Sequence, residues 1–138
     1  MKTGPKYKIA RRLGATVFEK TQSAKFAASA ERKAGNKRSG RPRNASEFGK
    51  QLLEKQKVRL TYGLSEKQFS NYVKAAMAER GANPTEALHR ALELRLDSIV
   101  YRLGLAKTRR FARQMVSHGH VTVNGKKTTI PSQRIHAG

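Results

Sequence analysis

The sequence predicts an α+β fold that is mostly helical and carries one small antiparallel sheet near the C-terminus. Between residues 46 and 117, apolar residues recur at the spacing of amphipathic helices, and capping residues precede several of these segments. Val121 and Val123 then alternate with Thr122 and lead into Asn124-Gly125. An Asn-Gly pair after alternating residues is the strongest short signal for a hairpin, so the sheet should follow the helices.

The composition points to a polyanionic partner. The chain has 138 residues and a formal net charge of +21, from 30 Lys and Arg against 9 acidic residues. Such a charge repels itself in a compact fold, and nucleic acid would relieve that repulsion. The absence of Cys excludes disulfides, thiolate zinc sites and cysteine nucleophiles. No apolar run is long enough for a membrane span and the N-terminus lacks a signal-peptide core, so we expect a soluble protein with no membrane partner.

We divide the chain into three regions. Residues 1–45 are predicted to form a basic, extended N-terminal arm with a short helical segment near its start. Within the arm, residues 24–45 have too little apolar surface to become ordered without a partner. Residues 46–82 should form a helical domain, and residues 83–138 a helix-turn-helix-hairpin domain. The candidate phosphate ligands of the arm are Lys6, Lys8, Arg11, Arg12, Arg41 and Arg43.

Capping residues locate the helices of the middle of the chain. Ser46 can cap a helix that ends near Tyr62-Gly63 and carries basic residues on its sides, namely Lys50, Lys55, Lys57 and Arg59. Ser65 with Gln68 makes a capping box for the next helix, whose apolar stripe should be core: Phe69, Tyr72, Val73, Ala76 and Met77. Asn83-Pro84 starts a third helix, which we expect to continue as one rod to Arg102.

The last two predicted helices meet at a glycine corner. The apolar pattern of one ends at Gly104, and that of the other begins at Thr108. Arg109, Arg110 and Arg113 lie outside the apolar set of this last helix. Because residues three and four apart are neighbours on a helix, we predict that the three guanidinium groups form a fixed array on one outward surface.

Two motifs could suggest catalysis or metal binding. Asp97 is the only Asp of the chain, but a catalytic role would need a pocket and a partner base, so we interpret it as an orienting salt link. His118 and His120 could ligate a metal, yet no acid or thiol lies near them in sequence. Contact with a phosphate or ribose is the favoured role. We therefore expect no enzyme activity, no cofactor and no metal.

Several residue strings resemble a known family. Residues 95–132 resemble the RNA-binding domain shared by the small-subunit ribosomal protein S-four family and by several RNA-modifying enzymes. The strings that carry this resemblance are RLD, YRLG, TR, ARQ, VSHGHVTVNG and IPS. FGKQLLEKQKVRLTYGLSEKQF, residues 48–69, resembles the first-domain signature of that family, which those enzymes lack. Many relatives hold zinc with cysteines near the N-terminus, and this sequence looks like a zinc-free version.

The resemblance implies a ribosomal function. It implies a structural constituent of the small subunit that binds 16S ribosomal RNA directly as a primary assembly protein. Neighbouring small-subunit proteins and the messenger RNA entry region would be its other partners, and its location would be the cytoplasmic ribosome of a bacterium, or an organelle of bacterial descent. The implied RNA contacts in the last domain are Lys107, Thr108, Arg109, Arg110, Arg113, His118, His120, Asn124, Lys126 and Lys127.

We hypothesise that the cations of the last domain clamp a junction of RNA helices from one side, while those of the helix after Ser46 engage it from the other. The main alternative is a free-standing RNA chaperone or heat-shock type RNA-binding protein with the same domain. A pseudouridine synthase would need an active-site Asp in an additional large fold, and Asp97 already belongs to the binding domain. A DNA-binding protein fits the charge but not the residue strings.

The C-terminus departs from the family pattern. Family members continue past the IPS of residues 130–132 into a further strand and a helical extension, whereas this chain stops at Gly138. We therefore expect a sheet with an open edge, and open edges tend to pair with other chains. Either a neighbouring molecule covers that edge, or the sequence is a piece of a longer gene product.

Overall fold

The structure is a computed structural model that describes residues 4–35 and 46–136. Its elements in chain order are α1 (Lys6–Leu13), a 3-10 turn (Glu19–Thr21), α2 (Ala24–Gly35), α3 (Glu47–Thr61), α4 (Glu66–Ala78), α5 (Pro84–Glu93), α6 (Leu96–Arg102), α7 (Arg109–Ser117), β1 (Val121–Val123) and β2 (Lys126–Thr128). The predicted α+β class is confirmed. None of the helices in these two ranges has the length and apolar character needed to cross a bilayer.

The chain forms two compact units, Met1–Thr61 and Tyr62–Gly138. This division differs from the three predicted regions, because α3 shares an apolar cluster with residues of the predicted arm rather than standing apart from them. Leu60 of α3 is buried in one cluster with Ala10 and Leu13 of α1. The three-region division stays a prediction about how the chain is organised in function.

The short helical segment predicted near the start of the arm is confirmed as α1, whereas the prediction of an extended chain is wrong for α2. α1 buries Ala10 and Leu13 and ends at Gly14, whose φ of 64° lies in the left-handed region that glycine adopts without strain. α2 begins at Ala24, and its Phe26 stacks on Tyr7 with ring centroids 5.4 Å apart. The low apolar content of this segment did not predict α2, because its single aromatic ring finds a partner in α1; residues 36–45 lie outside the described residues.

The predicted caps of α3 and α4 are confirmed. Ser46 Oγ accepts a hydrogen bond from the Gly49 N–H at 3.2 Å. Ser65 Oγ accepts from the Gln68 N–H at 3.2 Å, and the Gln68 side chain accepts from the Ser65 N–H at 3.4 Å, which completes the capping box. In α4 the predicted stripe is buried or half-buried except for Met77, which is 70% exposed. Met77 is therefore not a core residue of this unit.

The predicted rod from residue 83 to residue 102 is wrong, because the helix breaks at Leu94 and Arg95. Leu94 still has helical angles and its N–H donates to Arg90 O at 2.9 Å, but Arg95 is extended, with ψ of 139°. A C-terminal segment lies against the break: the Leu96 N–H donates to Gln133 O at 2.9 Å. The first backbone donors of α6 thus find partners outside the helix, which makes a new helix start possible there.

α6 and α7 pack around the core of the last domain. Its buried members are Leu96, Val100, Ala106, Ala112 and Val116. The Thr108 hydroxyl caps α7 by accepting from the Phe111 N–H at 3.0 Å. The predicted hairpin is confirmed, since β1 and β2 pair antiparallel across a turn in which Asn124 and Gly125 have φ of 51° and 78°.

Candidate nucleic-acid interface

Arg113, a predicted member of the outward array, is bonded to the protein on every side of its guanidinium. Its Nε donates to Asp97 Oδ2 at 2.8 Å. Its Nη1 donates to Gly63 O at 2.7 Å and its Nη2 to Tyr62 O at 2.8 Å. These bonds tie α7 to the Tyr62-Gly63 segment that begins the second unit.

Asp97 is the buried centre of this network. Arg95 donates two hydrogen bonds to it, from Nε to Oδ1 at 3.0 Å and from Nη2 to Oδ2 at 2.9 Å. The side chains of Arg95 and Asp97 are only 3% and 4% exposed. The third arm of Arg95 donates to the Tyr72 hydroxyl at 2.7 Å. Burial lowers the pKa of Arg95, but the hydrogen bonds and attraction of Asp97 outweigh it and raise the pKa overall. The predicted orienting salt link of Asp97 is confirmed.

Arg109 is also directed into the protein. Its Nη2 donates to Glu93 Oε1 at 3.2 Å. Its guanidinium carbon lies 4.4 Å from the ring centroid of Tyr62 and 4.7 Å from that of Tyr101. Both distances fall within the range of a cation–π interaction, and the side chain is 15% exposed. Arg109 is thus half of an internal ion pair that two aromatic rings enclose.

Glu93 connects Arg109 to the surface. Arg102 donates to it twice, from Nε at 2.8 Å and from Nη2 at 3.0 Å, and the Tyr62 hydroxyl donates at 2.5 Å. The hydrogen bond from Arg102 is the main reason that the pKa of Glu93 falls to about 2. Burial, followed by the hydrogen bond to Glu93, raises the pKa of Tyr62 to about 12. The carboxylate therefore stays ionised and the phenol stays protonated at neutral pH.

The predicted shared outward surface is wrong for Arg109 and Arg113 and confirmed for Arg110, which is exposed. Helical periodicity separates the apolar face of α7 from the rest. It does not reveal that two acidic residues at the α5–α6 corner lie within reach of the arginines beside that face. A role of Arg109 and Arg113 in direct RNA contact stays a prediction that their bonds do not favour.

Other cations of the second unit are presented to solvent. Lys107, Arg110, Lys126 and Lys127 are exposed, and among the described residues none of the four forms an ion pair. Of the other predicted contacts, His118, His120 and Asn124 are exposed, while Thr108 is half-buried and acts as the cap of α7. The residues just before α7, α7 itself and the hairpin thus carry four exposed cations, Lys107, Arg110, Lys126 and Lys127, which we call the basic face.

Gly119 fits closely against one member of the basic face. Its φ is 74°, and a Cβ built on it would come within 2.1 Å of Lys127 Cε. A side chain at this position would strain the backbone and push the lysine aside. The two histidines that flank Gly119 have ring centroids 6.2 Å apart. In residues 4–35 and 46–136, no group of three or more His, Asp or Glu side chains is placed to hold a metal ion.

The first unit presents a second set of predicted contacts. Lys8, Arg11, Arg12, Lys50 and Lys55 are exposed, whereas Lys6 is half-buried with its Nζ 5.8 Å from the ring centroid of Phe18. Lys57 pairs with Glu54 at 2.6 Å, and Arg59 donates to Gln56 at 2.7 and 2.9 Å. Arg41 and Arg43 lie outside the described residues. The solvent-exposed members of this set are therefore Lys8, Arg11, Arg12, Lys50 and Lys55.

Sequence reasoning missed the residues that fix α7 in place. Tyr62, Glu93, Arg95 and Arg102 were not assigned any role at the site. The acidic residues offered a partial signal for the internal ion pairs. In a chain with 30 basic and only 9 acidic residues, each carboxylate has many possible basic partners. Glu93 and Asp97 are four positions apart, and so are Arg109 and Arg113, which pair with them. This matching spacing was a partial signal, but the break between α5 and α6 means that it does not by itself bring the two acids together.

Acid titration should reveal the Glu93 ion pairs. The pKa of Glu93 lies below its usual value in the folded protein, so its carboxylate stabilises the fold at neutral pH. That stabilisation should be lost as the pH falls from about 5 to about 2, because the unfolded chain takes up the proton first. Over this range Tm should fall less steeply in Glu93→Gln than in the wild type, and Glu86→Gln, an exposed position of the same helix, should follow the wild type. Equal slopes for Glu93→Gln and wild type would contradict the assignment.

Comparison with known proteins first gives the class of protein. Residues 94–138 match the family model described as the S4 domain. Residues 1–93 match the model described as the ribosomal protein S4/S9 N-terminal domain. The second match covers more than half of the chain, so the chain belongs to the ribosomal protein S4 family. The boundary between the two matches falls at the α5–α6 corner described above.

Curated relatives support this assignment. A protein named small ribosomal subunit protein uS4 from Ligilactobacillus salivarius is 47% identical over 136 residues, which is 99% of this chain and 66% of the relative. Proteins of the same name from Pediococcus pentosaceus and Latilactobacillus sakei are 47% and 48% identical, with the same coverage. The chain thus spans 66% of the length of these relatives. The recognition of the family from the sequence is confirmed.

Proposed function

We propose that this chain is a structural constituent of the small ribosomal subunit that binds small-subunit 16S ribosomal RNA directly. The observation that carries the proposal is the basic face of the domain that matches the S4 model: Lys107, Arg110, Lys126 and Lys127 are exposed and form no ion pair within the part of the chain that the structure describes. The relatives are named as small-subunit proteins, which fits such a partner. The role is a binding one, without catalysis.

The mode of recognition follows from the chemistry of these side chains. The major groove of A-form RNA is too deep and narrow for side chains to read, so a protein binds folded RNA mainly through its shape, phosphates and 2′-hydroxyls. Lysine and arginine on a helix and an adjoining hairpin suit phosphate contacts, and His118, His120 and Asn124 add donors for ribose. The exposed cations of α1 and α3 would add phosphate contacts from the first unit.

The wider assembly role extends this proposal. As a primary assembly protein, the chain would bind the RNA before other proteins and recognise a junction of RNA helices. Its further partners would be neighbouring small-subunit proteins and the messenger RNA entry region. Its location would be the cytoplasmic ribosome, as fits relatives from bacteria. The family resemblance and the distribution of exposed cations support these points.

Co-sedimentation with ribosomes tests the proposal. The chain should be present at one copy per small subunit after washing in moderately high salt. The purified 138-residue chain should bind a structured fragment of 16S RNA more tightly than duplex DNA at the same ionic strength. If the chain binds the RNA but is absent from washed small subunits, the result would favour a free-standing RNA chaperone or heat-shock type protein. Equal affinity for DNA and RNA would contradict the proposal.

A further inference from the structure

The two acidic residues at the α5–α6 corner hold four arginines between them. Glu93 accepts from Arg102 and Arg109, and Asp97 accepts from Arg95 and Arg113. The Glu93 side chain is 20% exposed and that of Asp97 is 4% exposed. Two other acids of the same unit, Glu79 and Glu86, are exposed on its surface. The corner carboxylates are internal counter-ions and not part of a solvated acidic surface.

These ion pairs fix α7 against the start of the second unit. Arg113 and Arg109 stand four residues apart on α7, and both reach Tyr62: Arg113 through the backbone carbonyl and Arg109 through the ring face. The Tyr62 hydroxyl donates to Glu93, which closes a ring of contacts. Because two points on one face of a helix are held, the rotation of α7 about its own axis is fixed. The direction of Arg110, the next residue of the helix after Arg109, is fixed with it.

We propose that Glu93 and Asp97 are positioning residues for RNA binding. By holding Arg109 and Arg113 inside the domain, they orient α7 and the residues just before it so that Arg110 and Lys107 of the basic face meet phosphates. Two anionic side chains thereby strengthen the binding of a polyanion. The inference rests on the proposed function, and it goes beyond it by assigning a role in RNA affinity to residues that do not touch RNA.

Simple charge arithmetic predicts the opposite sign. Replacing any Glu by Gln raises the net charge of this basic protein by one, and long-range attraction to RNA should then increase slightly. Glu93→Gln and Glu86→Gln make the same change of charge on the same helix. Only the first removes an internal counter-ion. A comparison of these two variants therefore separates positioning from overall charge.

The experiment measures the affinity of the full chain for a structured 16S RNA fragment over a range of salt concentrations. Glu86→Gln should bind as tightly as the wild type or slightly more tightly. Glu93→Gln should bind about tenfold more weakly, in line with couplings inside one hydrogen-bond network. Its salt slope should equal that of the wild type, because the bound complex still makes every phosphate contact and only the free-energy cost of orienting α7 on binding is added. Damage to the fold alone would lower Tm, but it would not produce a reduced affinity together with an unchanged salt slope.

Two results would overturn the inference. Tighter binding with a steeper salt slope in Glu93→Gln would mean that Arg102 and Arg109, once released, bind phosphates themselves. Affinity equal to that of Glu86→Gln would mean that orientation of α7 does not matter. If wild type itself fails to bind the RNA, the proposed function fails and the inference with it, whereas a failure confined to Glu93→Gln leaves the proposed function intact.

A second variant guards against loss of folding. Tyr62→Phe removes the hydroxyl that donates to Glu93 but keeps the ring that faces Arg109. Binding should be measured below the Tm of each variant, as found by circular dichroism. If Glu93→Gln is unfolded at the assay temperature, Tyr62→Phe decides: weaker binding at constant salt slope supports the inference, and wild-type affinity overturns it.

Discussion

Replacement of Asp97 by Asn should lower the free energy of unfolding by about 3 kcal/mol, because removing one partner of a buried ion pair leaves the others as uncompensated buried charges. Arg95 is 3% exposed, and Arg95 and Arg113 together donate three hydrogen bonds to the two carboxylate oxygens; Asn keeps only one acceptor oxygen, so the bonds to the other oxygen are lost together with the negative charge. Asn has the same shape as Asp, so the loss reports charge and not packing. Urea unfolding followed by circular dichroism measures it.

Arg110→Gln provides the control for Asp97→Asn. Arg110 is exposed on the same domain and forms no ion pair among the described residues, so its replacement should change stability by less than about 0.5 kcal/mol. The double variant Arg95→Met and Asp97→Leu tests whether the ion pair itself stabilises the fold. Its free energy of unfolding should fall less than that of Asp97→Asn, since apolar replacements of a whole buried ion pair are often tolerated. A loss below about 1 kcal/mol in Asp97→Asn would contradict the buried network.

Neutralising the basic face should have the largest effect on RNA binding. The triple variant Arg110→Gln, Lys126→Gln and Lys127→Gln should lower affinity for structured 16S RNA on the order of a hundredfold, since counterion release scales with the phosphates contacted. The slope of log K against log salt should become shallower by about 2 to 3, one for each lost phosphate contact. Filter binding at several salt concentrations measures both quantities. Tm should change little, because all three residues are exposed.

A second triple variant makes the same change of net charge elsewhere in the unit. Lys67, Lys74 and Arg80 are exposed residues of α4 and the turn after it, outside the basic face. Their replacement by Gln should leave the salt slope close to that of the wild type. If the two triple variants lose equal affinity, binding depends on overall charge, and the basic face is not the interface.

The elements that were predicted correctly depend on signals that lie next to each other in the chain. Only a few neighbouring residues are needed to specify the geometry of each of these features. They are the Ser46 and Ser65 caps, the helix end before Tyr62 and the Asn124-Gly125 turn. Local hydrogen bonds and permitted backbone angles decide these features, so the sequence is sufficient for them. The family resemblance depended on similar short strings and was confirmed for both parts of the chain.

The errors come from contacts between residues far apart in sequence. The break at Leu94 depends on a segment near Gln133, and the inward direction of Arg113 depends on the carbonyl groups of Tyr62 and Gly63. An arginine that pairs internally and one that faces RNA have the same helical position relative to the apolar stripe. Only the location of Glu93 and Asp97 distinguishes them, and periodicity carries no information about it.

The break between α5 and α6 also has a consequence for folding during synthesis. The Asp97 N–H donates to Pro131 O, and the Ile135 N–H donates to Leu94 O, so α6 can be capped only after residues much later in the chain have left the ribosome that makes them. Contacts of such sequence separation form slowly because the intervening loop must close first. The nascent chain would therefore expose the arginines of α7 before Asp97 is fully positioned, and premature capture by bulk cellular RNA is a hazard that this topology creates.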